Sequence, residues 1–96
     1  MKTKVYFVKD DDEITAVFPY EVATSNINTM ICYSHVGQHG TCIDTWVKDS
    51  DKAKPEEYKE LLEELNTIGY KLEILKNFPG IHSYTARFKR FYMGSK

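Results

Sequence analysis

Between Cys32 and Cys42 the chain reads Cys-Tyr-Ser-His-Val-Gly-Gln-His-Gly-Thr-Cys, placing both cysteines, two of the three histidines and two of the five glycines within eleven residues. No other segment concentrates reactive side chains this way. Four chemistries compete for it. Cys32, His35, His39 and Cys42 are ligand types that suit tetrahedral zinc, but Cys32 and His35 would point to opposite faces of a regular strand, and common zinc spacings put a longer loop between the ligand pairs. A cysteine beside a histidine is the minimal nucleophile and base, yet no oxyanion-hole signature accompanies it. Tyr33, His35, Gln38 and His39 would make a polar recognition site, because histidine exchanges protons near neutral pH, glutamine both donates and accepts, and the flanking glycines let a ligand approach the backbone. The plainest outcome is two buried free thiols acting as small hydrophobes, with the histidines in ordinary hydrogen bonds. The expectation is therefore no catalytic residue, no bound metal, no cofactor, and a ligand-binding set of Tyr33, His35, Gln38 and His39.

A second constellation lies near the C-terminal end. Residues 1–73 carry eight Lys and Arg against fourteen Asp and Glu, whereas residues 74–96 carry five basic residues and no acidic one. Within that basic stretch Arg87, Lys89 and Arg90 interleave with Tyr84, Phe88, Phe91 and Tyr92, a composition able to neutralise phosphates and stack on unpaired bases. Arg87, Phe88, Lys89, Arg90 and Tyr92 are the alternative, nucleic-acid-binding set. The competing expectation is that these aromatic residues fold back as an edge strand or pack on a second copy, which leaves homo-oligomerisation open.

The elements that must position these residues read as follows. Val5–Val8 and Ile14–Phe18 flank Lys9-Asp10-Asp11-Asp12-Glu13, a hairpin whose aspartates favour a turn; the run lacks the spaced ligands, glycine and distal glutamate of a calcium loop. Pro19 ends the second strand. A third, residues 29–36, directs Met30 and Cys32 one way and Ile31, Tyr33 and His35 the other, as in a strand covered on both faces. Gly37 and Gly40 turn the chain towards a fourth strand, residues 41–47, that contains Trp46. Residues 55–68 form a helix: Pro55 suits the first position, Glu56 and Glu57 favour the positive end of the dipole, Tyr58, Leu61, Leu62, Leu65 and Ile68 make one apolar stripe, and Gly69 stops it. Its other face, with Glu56, Lys59, Glu60, Glu63 and Glu64, reads as solvated. Residues 70–76 alternate as a last strand with Tyr70, Leu72 and Ile74 inward. The fold class is α+β, in the order β-β-β-β-α-β: a mostly antiparallel sheet of four to five strands with one amphipathic helix on one face. Residues 1–76 form one domain and residues 77–96 a basic aromatic extension, separated by Pro79-Gly80.

Ninety-six residues close one hydrophobic core, and 42% apolar with 14% aromatic residues is rich enough to fold unaided. A net charge of −1 gives no global argument for nucleic acid or membrane. No apolar run approaches the roughly 20 residues a bilayer requires, so no membrane partner is expected. Two cysteines without a signal-like start point to a reducing compartment, the cytoplasm.

Tyr33-Ser-His-Val-Gly-Gln-His-Gly40, Pro55-Glu-Glu-Tyr58 and Ile68-Gly-Tyr-Lys-Leu-Glu-Ile74 together resemble a group of small proteins encoded by bacteriophages and other mobile elements. The resemblance spans about residues 1–76. It implies a genetic setting, the bacterial host cytoplasm during phage infection, rather than a mechanism. Lys54 stands where that group would have threonine, which removes a good N-cap. With the residues, the resemblance leads to one expectation: a non-enzymatic accessory protein that binds a host protein or a small-molecule ligand, with an anti-defence role fitting by association. The alternative is a nucleic-acid-binding regulator using the tail.

Overall fold

Asp11 and Asp12 both adopt positive φ, 51° and 70°, the conformation a two-residue hairpin needs for its twist to match that of the strands. The structure, a computed structural model, describes residues 2–24, 28–34 and 38–92, and the side chains of Gln38, Phe91 and Tyr92 lie outside that description. The hairpin joins β1 (Thr3–Asp10) to β2 (Glu13–Phe18), with Asp10 opposite Glu13. β3 (Thr29–Ser34) and β4 (Gln38–Ile43) continue the antiparallel sheet. Residues 35–37, which include His35 and Gly37, are outside the described part.

On its other side β1 is shared by two short strands. The two-residue β5 (Asp51–Lys52) pairs antiparallel with Val8 and Lys9, and β6 (Leu72–Ile74) pairs parallel with Thr3 to Val5. The order is β4-β3-β2-β1-β5, with β6 beside β1. The fold is thus α+β on a mostly antiparallel open sheet, with six strands and three helices among the described residues.

Both faces of the sheet are covered. On the first, Val5, Phe7, Ala16, Phe18 and Tyr33 pack with Leu61 and Leu65 of α2 (Pro55–Thr67). Leu65 is fully buried, and such a side chain contributes about 1.5–3 kcal/mol. The ring of Phe7 stacks on Tyr58, centroids 4.2 Å apart. The stripe ends one turn earlier than its spacing suggests, since Ile68 is the C-cap and is half exposed. Gly69 at φ 110° closes the helix: its N–H bonds to the Asn66 carbonyl and that of Tyr70 to the Leu65 carbonyl, a Schellman motif. At the other end, where Lys54 offers no side-chain oxygen, Glu57 reaches back so that its Oε1 accepts from the Lys54 N–H at 2.8 Å, and its Oε2 accepts from Lys9 Nζ at 2.8 Å.

On the second face Tyr6, Val8, Val17, Met30, Cys32 and Cys42 meet Val47 of α1 (Asp44–Asp49). This corrects the expected fourth strand: it spans 38–43, and Trp46 lies on the helix. Asp44 belongs to a first helical turn, where its charge is favourable. The stretch read as a strand over 70–76 pairs only from Leu72 to Ile74, and Ile74 is 40% exposed rather than inward.

The basic stretch forms a third helix, α3 (Ile81–Tyr92), and not an edge strand. Among its described side chains, Ser83 and Arg87 are buried. Arg87 Nη1 donates to the Pro19 carbonyl at 2.6 Å and Nη2 donates to both Asp44 carboxylate oxygens at 3.0 and 3.1 Å. Alongside, Tyr20 Oη and His82 Nδ1 are hydrogen-bonded at 2.8 Å, and Arg90 Nη1 donates to Glu21 at 2.9 Å. The extension is thereby tied to the segment after β2 and to the start of α1.

Candidate functional site

The register of β3 and β4 divides the cysteine and histidine segment between the two faces of the sheet. Tyr33 pairs with His39, Cys32 with Gly40, and Met30 with Cys42. Because side chains alternate along a strand, Tyr33 and His39 share the α2 face while Cys32 and Cys42 share the α1 face. The four ligand types of a zinc site are therefore not brought together: His39 lies across the sheet from both thiols, and His35 is outside the described residues.

On the α2 face a polar cluster forms around Tyr33. That residue is buried, and its hydroxyl donates to the carboxylate of Glu64 on α2. His39 is exposed; its ring stands edge-on to Tyr33 with centroids 4.9 Å apart, and its Nε2 is hydrogen-bonded to the Tyr70 hydroxyl at 2.8 Å. The histidine tautomer decides which partner donates. Tyr70 is in turn stacked on Phe18, centroids 5.2 Å apart. An exposed imidazole is thus braced by two tyrosines that are themselves held by the core, which limits its rotation and presents one edge outward. Of the predicted set, Tyr33 and His39 come together; Gln38 is opposite Ser34 on the backbone ladder, and its side chain is outside the description. Glu64 and Tyr70 join the cluster without belonging to that set. Glu64 sits on a helix face that local pattern marks as solvated, and the contacts of both are 31 residues distant along the chain, so no local spacing announces them.

On the opposite face a cavity of about 410 Å³ is lined by Cys32, Cys42, Glu13, Ser34, Thr41 and Trp46, among others. Both thiols are free and buried. The Cys42 thiol faces the Met30 carbonyl at 3.9 Å and also hydrogen-bonds Cys32. That bond lowers the Cys32 pKa below the usual thiol range, helped by the Gly40 N–H and opposed by burial. The same bond, with burial and the nearby Cys32 and Asp44 charges, pushes Cys42 up, and Arg87 opposes the rise.

The nucleic-acid set is placed differently from its sequence reading. Arg87 has no exposed surface and its guanidinium is engaged with Asp44 and Pro19, so it cannot reach a phosphate. Arg90 is paired with Glu21. Lys89 is exposed, Phe88 is 43% exposed, and the Tyr92 side chain lies outside the description. No helix among the described residues is long and apolar enough to cross a membrane. No family model, curated protein or solved structure matches the chain.

Proposed function

We propose that this protein acts by binding a protein partner or a small ligand on the face built by Tyr33, His39, Glu64 and Tyr70, and not by catalysing a reaction. The observation that carries this reading is the bracing of an exposed histidine by a buried tyrosine on one side and a core-stacked tyrosine on the other. A group held this way offers a hydrogen-bonding edge with little ordering entropy left to lose on binding. His39 belongs to the Tyr33–Gly40 motif and Tyr70 to the Ile68–Ile74 motif, so residues widely separated in the chain contribute to one surface. We place the action in the bacterial host cytoplasm, following the resemblance to proteins of phages and mobile elements. Pairing of Arg87 and Arg90 with carboxylates weighs against nucleic-acid binding through the C-terminal helix.

The test is native mass spectrometry of tagged protein isolated from its host cells, comparing the wild type with His39→Ala and Lys89→Ala. The expected result is a bound species in the wild type and in Lys89→Ala that is missing from His39→Ala. A bound species retained by His39→Ala but lost from Lys89→Ala would overturn the reading in favour of the basic helix.

A further inference from the structure

We propose that Cys32 and Cys42 form a two-thiolate site for a soft monovalent cation of the copper(I) or silver(I) class, on the face of the sheet opposite His39. Three geometric observations support it. First, the ladder puts Cys42 across from Met30 and Cys32 across from Gly40, so the two cysteines are diagonal neighbours on adjacent strands and project to the same side. Second, Gly40 opposite Cys32 carries no side chain, and a Cβ there would stand 3.5 Å from Cys32 Sγ, an ordinary contact distance, so the sulfur is not crowded from β4. Third, both cysteines line a cavity of about 410 Å³ that is open to solvent, so a cation has a route to them although each is less than a tenth exposed.

The same register argues against the commoner fate of two adjacent thiols. Diagonal cross-strand neighbours have Cα atoms about 7–8 Å apart, beyond the roughly 6.8 Å that a disulfide tolerates without moving backbone. A cation between the sulfurs needs far more room than a covalent S–S bond, about 4–5 Å for two metal–thiolate bonds of roughly 2.3 Å each. Among the described residues no group of three or more His, Cys, Asp or Glu side chains converges. A pair of thiolates without a third or fourth protein ligand suits soft cations, for which sulfur is the preferred donor. On binding, two sulfur–metal bonds form, each thiol proton passes to bulk water and no electron is transferred. Trp46 lines the same cavity and serves as the fluorescent reporter.

Silver(I) is the probe, since it is stable in air and needs no reductant. Reduced protein is titrated with silver nitrate and followed by native mass spectrometry, by counting thiols still open to a thiol reagent, and by Trp46 fluorescence. The expected result is one silver per chain, both thiols blocked at one equivalent, an oligomeric state unchanged from that of the metal-free protein and a rise in melting temperature. Cys32→Ser and Cys42→Ser should each weaken binding by about a hundredfold or more, above the 10–100-fold typical of an outer partner, while His39→Ala should bind as the wild type does. Two silver ions taken up independently, one thiol left open at one equivalent, or a silver-bridged pair of chains would overturn the proposal. Those three readouts need only the wild-type protein, so they decide the matter even where a serine variant fails to fold.

Discussion

Arg87 sets its guanidinium on both carboxylate oxygens of Asp44, at 3.0 and 3.1 Å, although 43 residues separate them. This pair fastens the C-terminal helix to the start of the short helix after β4. With Asp44 removed, the buried guanidinium loses its bidentate carboxylate, so Asp44→Ala should destabilise the fold by about 3–5 kcal/mol. Arg90, one turn on and paired with Glu21, is 61% exposed. Arg90→Ala should therefore lower stability by less than about 1 kcal/mol. Urea denaturation of the two variants checks the contrast, and equal losses would mean that Arg87 does not anchor the helix.

How much of this fold is legible in the sequence depends on whether an element announces itself locally. The α2 helix does so through Leu61 and Leu65 at helical spacing and Gly69 at its end, and the first hairpin does so through its aspartate run. By contrast, Arg87 in the helix over 81–92 reads locally as a solvent-facing cation among aromatic residues, because its partners Pro19 and Asp44 lie 68 and 43 residues away along the chain. Trp46 and Val47 read as a continuing strand because nothing local weighs Asp44 as a helix start against the β-forming residues around it. Tyr33 and His39 lie six residues apart and are legible as a pair. Glu64 and Tyr70 complete their site only through the packing of α2 and the parallel return of β6, neither of which a local pattern encodes.

The α2 helix yields a sharper test. Leu65 is fully buried against the sheet and Leu61 nearly so, whereas Glu60 is exposed. Leu65→Ala or Leu61→Ala should cost about 2–5 kcal/mol through lost transfer energy and the cavity left behind, and Glu60→Ala should stay within about 0.5 kcal/mol. Small, equal effects at all three positions would remove the basis for the apolar stripe.

Glu57 makes stability pH-dependent with a defined sign. The hydrogen bond from Lys9, joined by that from the Lys54 N–H, holds its carboxyl below the usual range, and Glu57 in turn raises Lys9. A depressed folded-state pKa stabilises above the unfolded value and is lost as pH falls through the folded one. The raised Lys9 contributes below its ordinary pKa and loses that contribution as pH rises through its folded value. The wild type should therefore exceed Glu57→Gln in urea midpoint at neutral pH, and the gap should close in acid below the ordinary carboxylate range. A gap that persists unchanged at low pH would show that the carboxylate charge is not responsible.

Two glycines should respond in opposite directions to the same substitution. A Cβ at Gly69 would meet no atom within 4 Å, but the φ there is 110°, a region that residues other than glycine rarely adopt. Gly69→Ala should cost about 1–2 kcal/mol from backbone strain alone and fray the end of α2, because the Asn66 and Leu65 carbonyls lose partners held by that conformation. Gly40 sits in a regular strand without positive φ, and a Cβ there would meet only Cys32 Sγ at 3.5 Å, an ordinary contact. Gly40→Ala should leave stability unchanged or raise it by about 0.4–1 kcal/mol, since alanine narrows the unfolded ensemble without straining the folded one. Thermal melts of the two variants distinguish strain from crowding. If Gly40→Ala proved the more damaging, the open space beside Cys32 would be smaller than the strand register implies, and the approach of the two sulfurs across it would have to be abandoned.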